Sequence, residues 1–471
     1  MEKTEHCAVI GIAVHDEAQL LRDLYEGLSA LQHRGQESVG ISFFDQSIHT
    51  LKSMGLTSES NIFHDSIHGS LGIGHERYST TGRSILENAQ PLEMKSKSGI
   101  TYAFAFNGNI KNFPYLKSKT RYHEVYSDDS DVELLSFLFG RELGSQTPEE
   151  IYRRVAPQID GSYSALMLIE DKHPQLIAFR DPLGIRPFSL GRRDHDHFIA
   201  SESVAFSDCY LDAQFLRDIQ PGELVTLSEG ELSTCQIFTC PFHAHCMFEW
   251  VYFARMDSVL EGIPVYQVRE RLGACLVEAS DVEADMVVPV PDSGRSAAAG
   301  YARAANIPLH EVFQVDRYAY RRIFIMPEQT QRVQKAGKKL NILPRAVQGK
   351  RVVVVDDSIV RGTNMRNMVI NKLQQAGARE IHVRISCPPL IDRCPYGVDF
   401  HRGELLASQY RELSHLELCD KIRKELDATT LYYNTLSDLV RAIGLNRKEL
   451  CMGCLTGIYP QIDWAELESE W

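Results

Sequence analysis

Four consecutive valines at residues 352–355, followed directly by Asp356 and Asp357, constrain the fold of this chain more than any other stretch. β-branched residues favour strands, and a strand with no polar position on either face needs cover on both sides, as in a parallel sheet flanked by helices. The runs MVVPV and EIHVRIS have the same character, and helix-like segments separate them from the valines. From about residue 280 onward, the sequence therefore predicts a doubly wound α/β domain.

The first half of the chain has a different pattern. Between about residues 7 and 235, short β-type runs such as CAVIGIAV, VGISFF, YAFAFNG, SYSALMLIE and PQLIAFR are joined mostly by turns. Few helical runs occur, and DEAQLLRDLYEGLSALQ is the clearest. This pattern predicts antiparallel sheets packed with helices, a layered α+β design, with a boundary to the second half near residues 236–250.

Composition limits the classes of function. The chain has 471 residues, 44% of them hydrophobic and 24% charged, which predicts two or three globular domains. A formal net charge of −13 without a dense basic block argues against a nucleic-acid partner. No apolar window reaches the roughly 18 to 20 residues that span a bilayer, and no secretory signal is present, so a cytoplasmic protein without a membrane partner is predicted. Its 11 cysteines are then expected to be thiols or metal ligands rather than disulfides.

The end of the valine strand predicts a site for a sugar phosphate. Ligands of such sheets bind beyond the carboxyl ends of the strands, where Asp356 and Asp357 stand. The backbone N–H groups that follow lead into a helix, Gly362 leaves room for a phosphate, and the hydroxyls of Ser358 and Thr363 add donors. Two carboxylates beside such a cradle suit vicinal hydroxyls and Mg²⁺. The alternative is a solvated turn with two surface acids.

This string, residues 356–363, resembles the binding motif of type I phosphoribosyltransferases. The resemblance implies phosphoribosyl pyrophosphate as the ligand, with the two acids on the ribose hydroxyls and the loop that contains Arg361 on the 5-phosphate. A second loop, residues 291–294, follows the preceding strand and is expected to place Ser293 near the diphosphate. Mg²⁺ is expected near Ser293 and the two acids.

A second set of motifs lies in the first half. In chain order these are CAVIGIAVHDEA, LQHRGQES, GHERYSTTG, FAFNGNI and DDSDVELL. Together they resemble the glutamine amidohydrolase domain of the N-terminal nucleophile class. In that class the chain begins at a cysteine, whose thiol attacks the glutamine carboxamide while its own α-amine, which titrates near pH 8, acts as the base. Cys7 is the candidate nucleophile, because no other cysteine precedes residue 209.

The same resemblance implies the other roles at this site. Asn107, through its side chain, and Gly108, through its N–H, would form the oxyanion hole. Arg77 would bind the α-carboxylate of glutamine and Asp131 its α-ammonium. A tetrahedral oxyanion needs fixed donors, and an amino acid needs one partner of each charge. Taken singly, the cysteine is as typical of a core and the NGN run of a turn, and the order of the five motifs favours the site.

Six residues, MEKTEH, precede Cys7, so removal of the initiator methionine cannot expose its amine. The hypothesis is that cleavage between His6 and Cys7 produces the mature chain. The predicted division is a propeptide at 1–6, a type 2 glutamine amidotransferase domain at 7–240 with layered αββα architecture, and a phosphoribosyltransferase domain with a C-terminal helical segment at 241–471.

The order of the two halves resembles the amidophosphoribosyltransferase family from Cys7 to about Pro460. This implies hydrolysis of glutamine, passage of ammonia inside the protein and its attack on phosphoribosyl pyrophosphate, with purine-nucleotide inhibitors and a tetramer. The family's mobile flap corresponds to residues 315–340, which depart from the family pattern in VDRYAYRRIFI and AGKKL. Two alternatives remain open: a related amidotransferase with a different phosphoribosyl product, and a non-catalytic nucleotide-binding regulator.

Four cysteines form a further candidate site. Cys451 and Cys454 make a Cys-x-x-Cys pair, and Cys246 and Cys394 lie where one branch of the family supplies two more ligands. The resemblance implies a structural [4Fe-4S] cluster, whereas the residues alone leave zinc or unligated thiols open. The neighbouring His243 and His245 are expected to be solvated.

Overall fold

The structure is a computed structural model. It describes residues 7–64, 67–78, 84–120, 130–228, 231–279, 282–315, 340–398, 405–462 and 464. In these ranges, no helix is both long enough and apolar enough to cross a membrane. The predicted propeptide and residues 316–339 of the predicted flap lie outside the described residues.

The first half contains an antiparallel sheet of seven strands. In spatial order they are Gln214–Asp218, Ser189–Arg193, Asp196–Ala200, Ala8–Ala13, Leu71–Arg77, Ser38–Asp45 and Ser47–Met54. The Ala8–Ala13 strand is buried along its whole length, because its apolar side chains lie between two neighbouring strands and two covered faces. The helix Leu20–Leu31 packs its apolar side on the outer face of this sheet.

A second antiparallel sheet of six strands lies against the first. Its strands in spatial order are Glu231–Gln236, Glu223–Ser228, Gln175–Arg180, Gly161–Glu170, Thr101–Ile110 and Leu92–Lys95. The inner faces of the two sheets share one apolar core, and the helices Asp131–Gly140 and Pro148–Val155 cover the outer face of the second. The order helix, sheet, sheet, helix confirms the predicted layered architecture.

The second half is built on a parallel sheet of four strands. Their order is Met286–Pro289, Arg351–Asp356, Glu380–Ile385 and Thr430–Tyr433. The four valines of the second strand are 0% exposed, because Val265–Ala279 and Arg295–Ala305 cover one face and the 365–375 and 415–426 helices cover the other. The predicted doubly wound sheet is confirmed.

Smaller elements complete the described part of the chain. The other strands are His245–Cys246 paired with Leu450–Cys451, Val259–Leu260 with Ile263–Pro264, and Phe313–Val315 with Leu340–Ile342. The other helices and helical turns include Phe113–Lys119, Glu249–Phe253, Pro344–Val347, Met365–Ile370, Asn371–Gln375, His415–Leu426, Leu436–Ile443 and Gly453–Thr456. The His245–Cys246 pairing brings the segment that follows the first half against the C-terminal part of the chain.

The prediction that His245 is solvated is wrong. Its side chain is buried, its Nδ1 lies 2.9 Å from the carbonyl oxygen of Gly184 and 3.3 Å from a carboxylate oxygen of Glu261, and burial lowers its pKa to about 4. The sequence could not indicate this burial, because the strand and the hairpin that cover His245 lie far from it in the chain.

Two candidate active sites and a group of four cysteines

Cys7 lies directly before the first strand and is partly buried. Its Sγ lies 3.4 Å from the carbonyl oxygen of Tyr78, and the N–H of Tyr78 is 3.5 Å from the same sulfur. Burial raises the pKa of the thiol above its usual value. A nucleophile held in this way needs a nearby base before it can attack a carboxamide.

Two charged side chains lie within electrostatic reach of this thiol. Arg77, which lowers the pKa of Cys7, is the last residue of the Leu71–Arg77 strand, and Asp131, which raises it, begins the Asp131–Gly140 helix. Both side chains are nearly inaccessible to solvent. Burial raises the pKa of Asp131 to about 6, although backbone N–H groups and Arg77 oppose that shift. The structure therefore places one guanidinium and one carboxylate near Cys7.

Asn107 and Gly108 stand near the end of the Thr101–Ile110 strand. Asn107 is buried, and among the described residues its Nδ2 has no hydrogen-bond partner. A Cβ at Gly108 would stand 1.9 Å from the carbonyl oxygen of Ser162, so only glycine fits this position. The strand end is anchored beside the acid, because Asp131 accepts a hydrogen bond from the N–H of Ile110. A buried amide donor without a partner is the feature that an oxyanion would satisfy.

No role was predicted from the sequence for the arginine of the motif LQHRGQES. Arg34 is buried, and its Nε donates a hydrogen bond to the carbonyl oxygen of Cys7 at 3.3 Å. Its guanidinium also pairs with Glu202 of the first half and with Glu249 of the second, 2.8 Å away. A charged arginine in a motif beside candidate catalytic residues was the available signal, but the two distant carboxylates could not be found from the sequence.

The acid pair lies at the predicted end of the valine strand. Asp357 is nearly buried and accepts hydrogen bonds from the hydroxyls of Ser293 and Ser358, each at 2.5 Å. Burial first, and then the charge of Asp357, raise the pKa of Asp356 well above its usual value. Two neighbouring carboxylates, one buried and one half-buried, favour a proton or a cation between them. The donor set suits Mg²⁺, a hard cation that takes carboxylate oxygens.

The loop after the acid pair has the backbone expected of an anion cradle. Gly362 has φ +77, a conformation that favours glycine, and a Cβ there would meet Leu406 at 2.7 Å. Arg361 and Thr363 on either side of it are exposed. Across the sheet, a Cβ at Gly294 would stand 2.5 Å from the carbonyl oxygen of Val355, so the Ser293 loop approaches the valine strand closely. The two predicted loops thus meet at one edge of the sheet.

The four predicted cysteines also come together, although their positions span most of the second half. Cys246 and Cys451 are partners in a parallel pair of strands, and the electrostatic interactions of Cys454 reach Cys246, Cys394 and Cys451. Burial raises the pKa of all four thiols.

A buried cation stands beside these thiols. Arg186, which belongs to the first half, lowers the pKa of Cys246, Cys394 and Cys451 and so favours their thiolates. In the described part of the chain, no three or more His, Cys, Asp or Glu side chains form a ready-made site for a single metal ion. Three buried thiols and one half-buried thiol beside a cation match the donor chemistry of an iron–sulfur cluster.

Comparisons with known proteins cover both halves. A family model described as a glutamine amidotransferase domain matches residues 75–208. The amidophosphoribosyltransferase of Methanocaldococcus jannaschii is 38% identical over 96% of this chain and 97% of the relative. That of Archaeoglobus fulgidus is 40% identical, with coverage of 96% and 98%.

A solved structure has the same architecture. The glutamine phosphoribosylpyrophosphate amidotransferase of Bacillus subtilis, complexed with ADP and GMP, superimposes with a TM-score of 0.85 and 37% identity. The match covers 96% of this chain and 97% of the other. The architecture of this chain is therefore shared with that enzyme over nearly its whole length.

Proposed function

The chain belongs to the amidophosphoribosyltransferase family, and on that premise we propose how its own residues transfer the nitrogen of glutamine to phosphoribosyl pyrophosphate. The reaction gives 5-phosphoribosylamine, glutamate and pyrophosphate, and it is the first step of purine biosynthesis. The observation that carries the proposal is the near-complete alignment with relatives that bear this one activity. The division into a glutaminase domain at 7–240 and a transferase domain at 241–471 is part of the proposal.

Glutamine hydrolysis is assigned to Cys7. Its thiol loses a proton to the α-amine of the same residue and attacks the carboxamide carbon, and the amine returns the proton as ammonia leaves. Water then hydrolyses the thioester to glutamate. Because the amine must be free, we propose that residues 1–6 are removed between His6 and Cys7.

The partners of the substrate follow from the charges around Cys7. Arg77 pairs with the α-carboxylate and Asp131 with the α-ammonium of glutamine, and the buried Nδ2 of Asn107 with the N–H of Gly108 receives the oxyanion. Since Asp131 has a pKa of about 6, its ionised form prevails at neutral pH. The recognition of glutamine then weakens as the pH falls through that value.

Transfer is assigned to the edge of the parallel sheet. Asp356 and Asp357 hold the ribose hydroxyls, and the loop through Arg361, Gly362 and Thr363 binds the 5-phosphate with Ser358. Ser293 contacts the diphosphate side and fixes Asp357. Ser293, Asp356 and Asp357 would hold Mg²⁺ nearby, and the ion would supply charge neutralisation for the leaving pyrophosphate. The nitrogen of ammonia forms a bond to C1 as the bond to pyrophosphate breaks, and a proton is then lost.

The direct test is product identity. With glutamine, Mg²⁺ and phosphoribosyl pyrophosphate, the protein is expected to form glutamate, pyrophosphate and phosphoribosylamine in about equal amounts. Glutamate and pyrophosphate without phosphoribosylamine would favour a related amidotransferase with a different product. Absence of all three products would favour the non-catalytic nucleotide-binding regulator.

We propose that Cys246, Cys394, Cys451 and Cys454 hold a [4Fe-4S] cluster. The proximity of these four thiols, three of them buried, and the adjacent Arg186 support this assignment, and the cluster would pin the C-terminal segment to the domain boundary.

Anaerobically purified protein is expected to contain about four iron atoms per chain and to absorb visible light. Cys394→Ser should lose both signals, whereas Cys419→Ser, which changes a buried cysteine outside the group, should keep them. Stoichiometric zinc, or no metal in fresh protein, would contradict the proposal.

Regulation and assembly are also proposed on the basis of the family. The relative from Bacillus subtilis was solved with ADP and GMP, which supports inhibition by purine nucleotides. A homotetramer is proposed from the family resemblance alone.

A further inference from the structure

The carbonyl group of Cys7 has a hydrogen-bond partner from another part of the first half. Arg34, in the turn after the Leu20–Leu31 helix, donates its Nε–H to this oxygen at 3.3 Å. Once residues 1–6 are removed, Cys7 is the first residue of the chain, and terminal residues are poorly ordered unless other groups hold them. The bond from Arg34 therefore holds the residue that carries both the nucleophilic thiol and its base.

This bond limits the orientation of Cys7 for a geometric reason. The peptide group between Cys7 and Ala8 is planar, so a partner that fixes its carbonyl oxygen fixes the whole group. The other side of the group is held as well, because Ala8 begins the first strand and pairs with Glu76 of the Leu71–Arg77 strand. Rotation about the Cα–C bond of Cys7 is then the one backbone rotation that moves its thiol and its α-amine.

The guanidinium of Arg34 is itself held in one direction. The side chain is 1% exposed, and Glu249 accepts hydrogen bonds from its Nη1 and Nη2 at 3.0 and 2.8 Å. Glu202 also accepts from Nη1, and the hydroxyl of Ser258 donates to Glu202 at 2.7 Å. A bidentate pair between arginine and a carboxylate adds fixed geometry to its charge. The direction of the Nε–H toward Cys7 is therefore set by the two carboxylates.

The charge of Arg34 is balanced within the same buried set. Although burial alone would raise the pKa of Glu202, the charges of His33 and Arg34 hold it well below its usual range, so Glu202 stays ionised. An unbalanced cation beside Cys7 would lower the pKa of the α-amine and weaken it as a base. Because the carboxylates offset that charge, the contact of Arg34 with Cys7 acts through geometry.

We propose that Arg34 is a positioning residue for glutamine hydrolysis, which holds the peptide group of Cys7 so that the thiol and the α-amine face the carboxamide of glutamine. The inference rests on the proposed function. A misplacement of about 1 Å at a reacting group can cost about 10²-fold in rate. Loss of this hold should therefore lower kcat for glutamine, whereas the affinity for glutamine depends on other residues.

Arg34→Lys is the test variant. Lysine keeps the positive charge that the two carboxylates need, but its ammonium group is a point charge without the planar fork that also reaches Cys7. We expect kcat for glutamate release to fall by about 10- to 100-fold. KM for glutamine should stay within about twofold, because Arg77 and Asp131 are unchanged. Transfer from added ammonia should be the same as in the unchanged protein.

Arg180 provides a matched control. It is also 1% exposed, its Nε donates to a backbone carbonyl oxygen, that of Arg186, at 2.7 Å, and its Nη2 pairs with Glu261 at 2.7 Å. Arg180 ends a strand of the second sheet, and none of its described hydrogen bonds is with Cys7. Arg180→Lys therefore removes a bond of the same type from an equally buried arginine. It should lower the melting temperature as Arg34→Lys does, but keep kcat for glutamine.

A second measurement follows the attack by Cys7 directly. A diazoketone analogue of glutamine labels the thiol, as sulfur bonds to the diazo-bearing carbon, the thiol proton passes to that carbon and N₂ leaves. In Arg34→Lys the limiting rate of labelling should fall by about the same factor as kcat, while the half-saturating concentration of the analogue stays within about twofold. If Arg34→Lys does not fold, Glu249→Gln loosens the hold on the guanidinium and should give a smaller fall in kcat at unchanged KM.

Three results would overturn the inference: an unchanged kcat in folded Arg34→Lys, an equal fall in folded Arg180→Lys, or a loss that appears in KM while kcat is kept. Failure of the proposed function looks different, because the unchanged protein would then release no glutamate from glutamine.

Discussion

Replacement of Cys7 by serine is expected to lower glutamine-dependent formation of phosphoribosylamine by about 10³-fold or more, the scale on which other covalent enzymes lose activity without their nucleophile. A serine hydroxyl has nearly the same size but is far less acidic than a thiol, so the fold is kept while the attacking group is lost. Transfer from added ammonia should remain, because the acid pair lies on a different sheet from Cys7.

Two comparisons make this prediction decisive. Cys209→Ser changes an exposed cysteine in the same half and should leave both activities intact. Sequencing of the N-terminus of the active protein should begin at Cys7. Full glutamine use by a protein that still begins at Met1 would refute the role given to the α-amine, and full glutamine use by Cys7→Ser would refute the nucleophile.

The fold could be predicted in both halves for a simple physical reason. A fully apolar strand such as residues 352–355 must be covered on both faces, as in a parallel sheet flanked by helices. Short β-type runs joined by turns, such as those around residues 101–110, indicate antiparallel sheets. The structure contains both. The short strands His245–Cys246 and Leu450–Cys451 were not predicted, because two residues carry no periodicity and their pairing is set by distant contacts.

Some residues of the candidate sites could be predicted from the sequence, and others could not. Cys7, Asn107 and the acid pair lie in local motifs whose residue types suit their chemistry, so the sequence could indicate them. Arg34 pairs with Glu249, which lies far away in the chain, and such a pair has no local signal. The structure was needed to find how the two halves are joined.

The double replacement Asp356→Asn with Asp357→Asn is expected to remove most of the transfer activity. Hydrogen bonds to a charged group are each worth about 1.5–3 kcal/mol, so the loss of two should lower kcat/KM for phosphoribosyl pyrophosphate by about 10²- to 10⁴-fold. Glutamate release without phosphoribosyl pyrophosphate should persist, since Cys7 and its neighbours are unchanged. Glu283→Gln, which removes an exposed acid paired with Arg351 at the opposite end of the same strand, is the control.

The same replacement should make the ligand-free protein more stable near neutral pH. The pKa of Asp356 is raised on folding, so the folded state binds more protons than the unfolded state, and stability falls as the pH rises from the ordinary pKa of an aspartate toward the raised value. An asparagine has no charge to bury and escapes this loss. Thermal unfolding without Mg²⁺ should show a gain for the variant at pH 7 to 8 that disappears near about pH 3, where Asp356 is protonated in both states. An equal or lower melting temperature at pH 7 to 8, together with retained transfer, would contradict both the role of the two acids in transfer and the cost of holding their charges close together. Lower activity with higher stability is instead the expected mark of carboxylates held close together for a ligand.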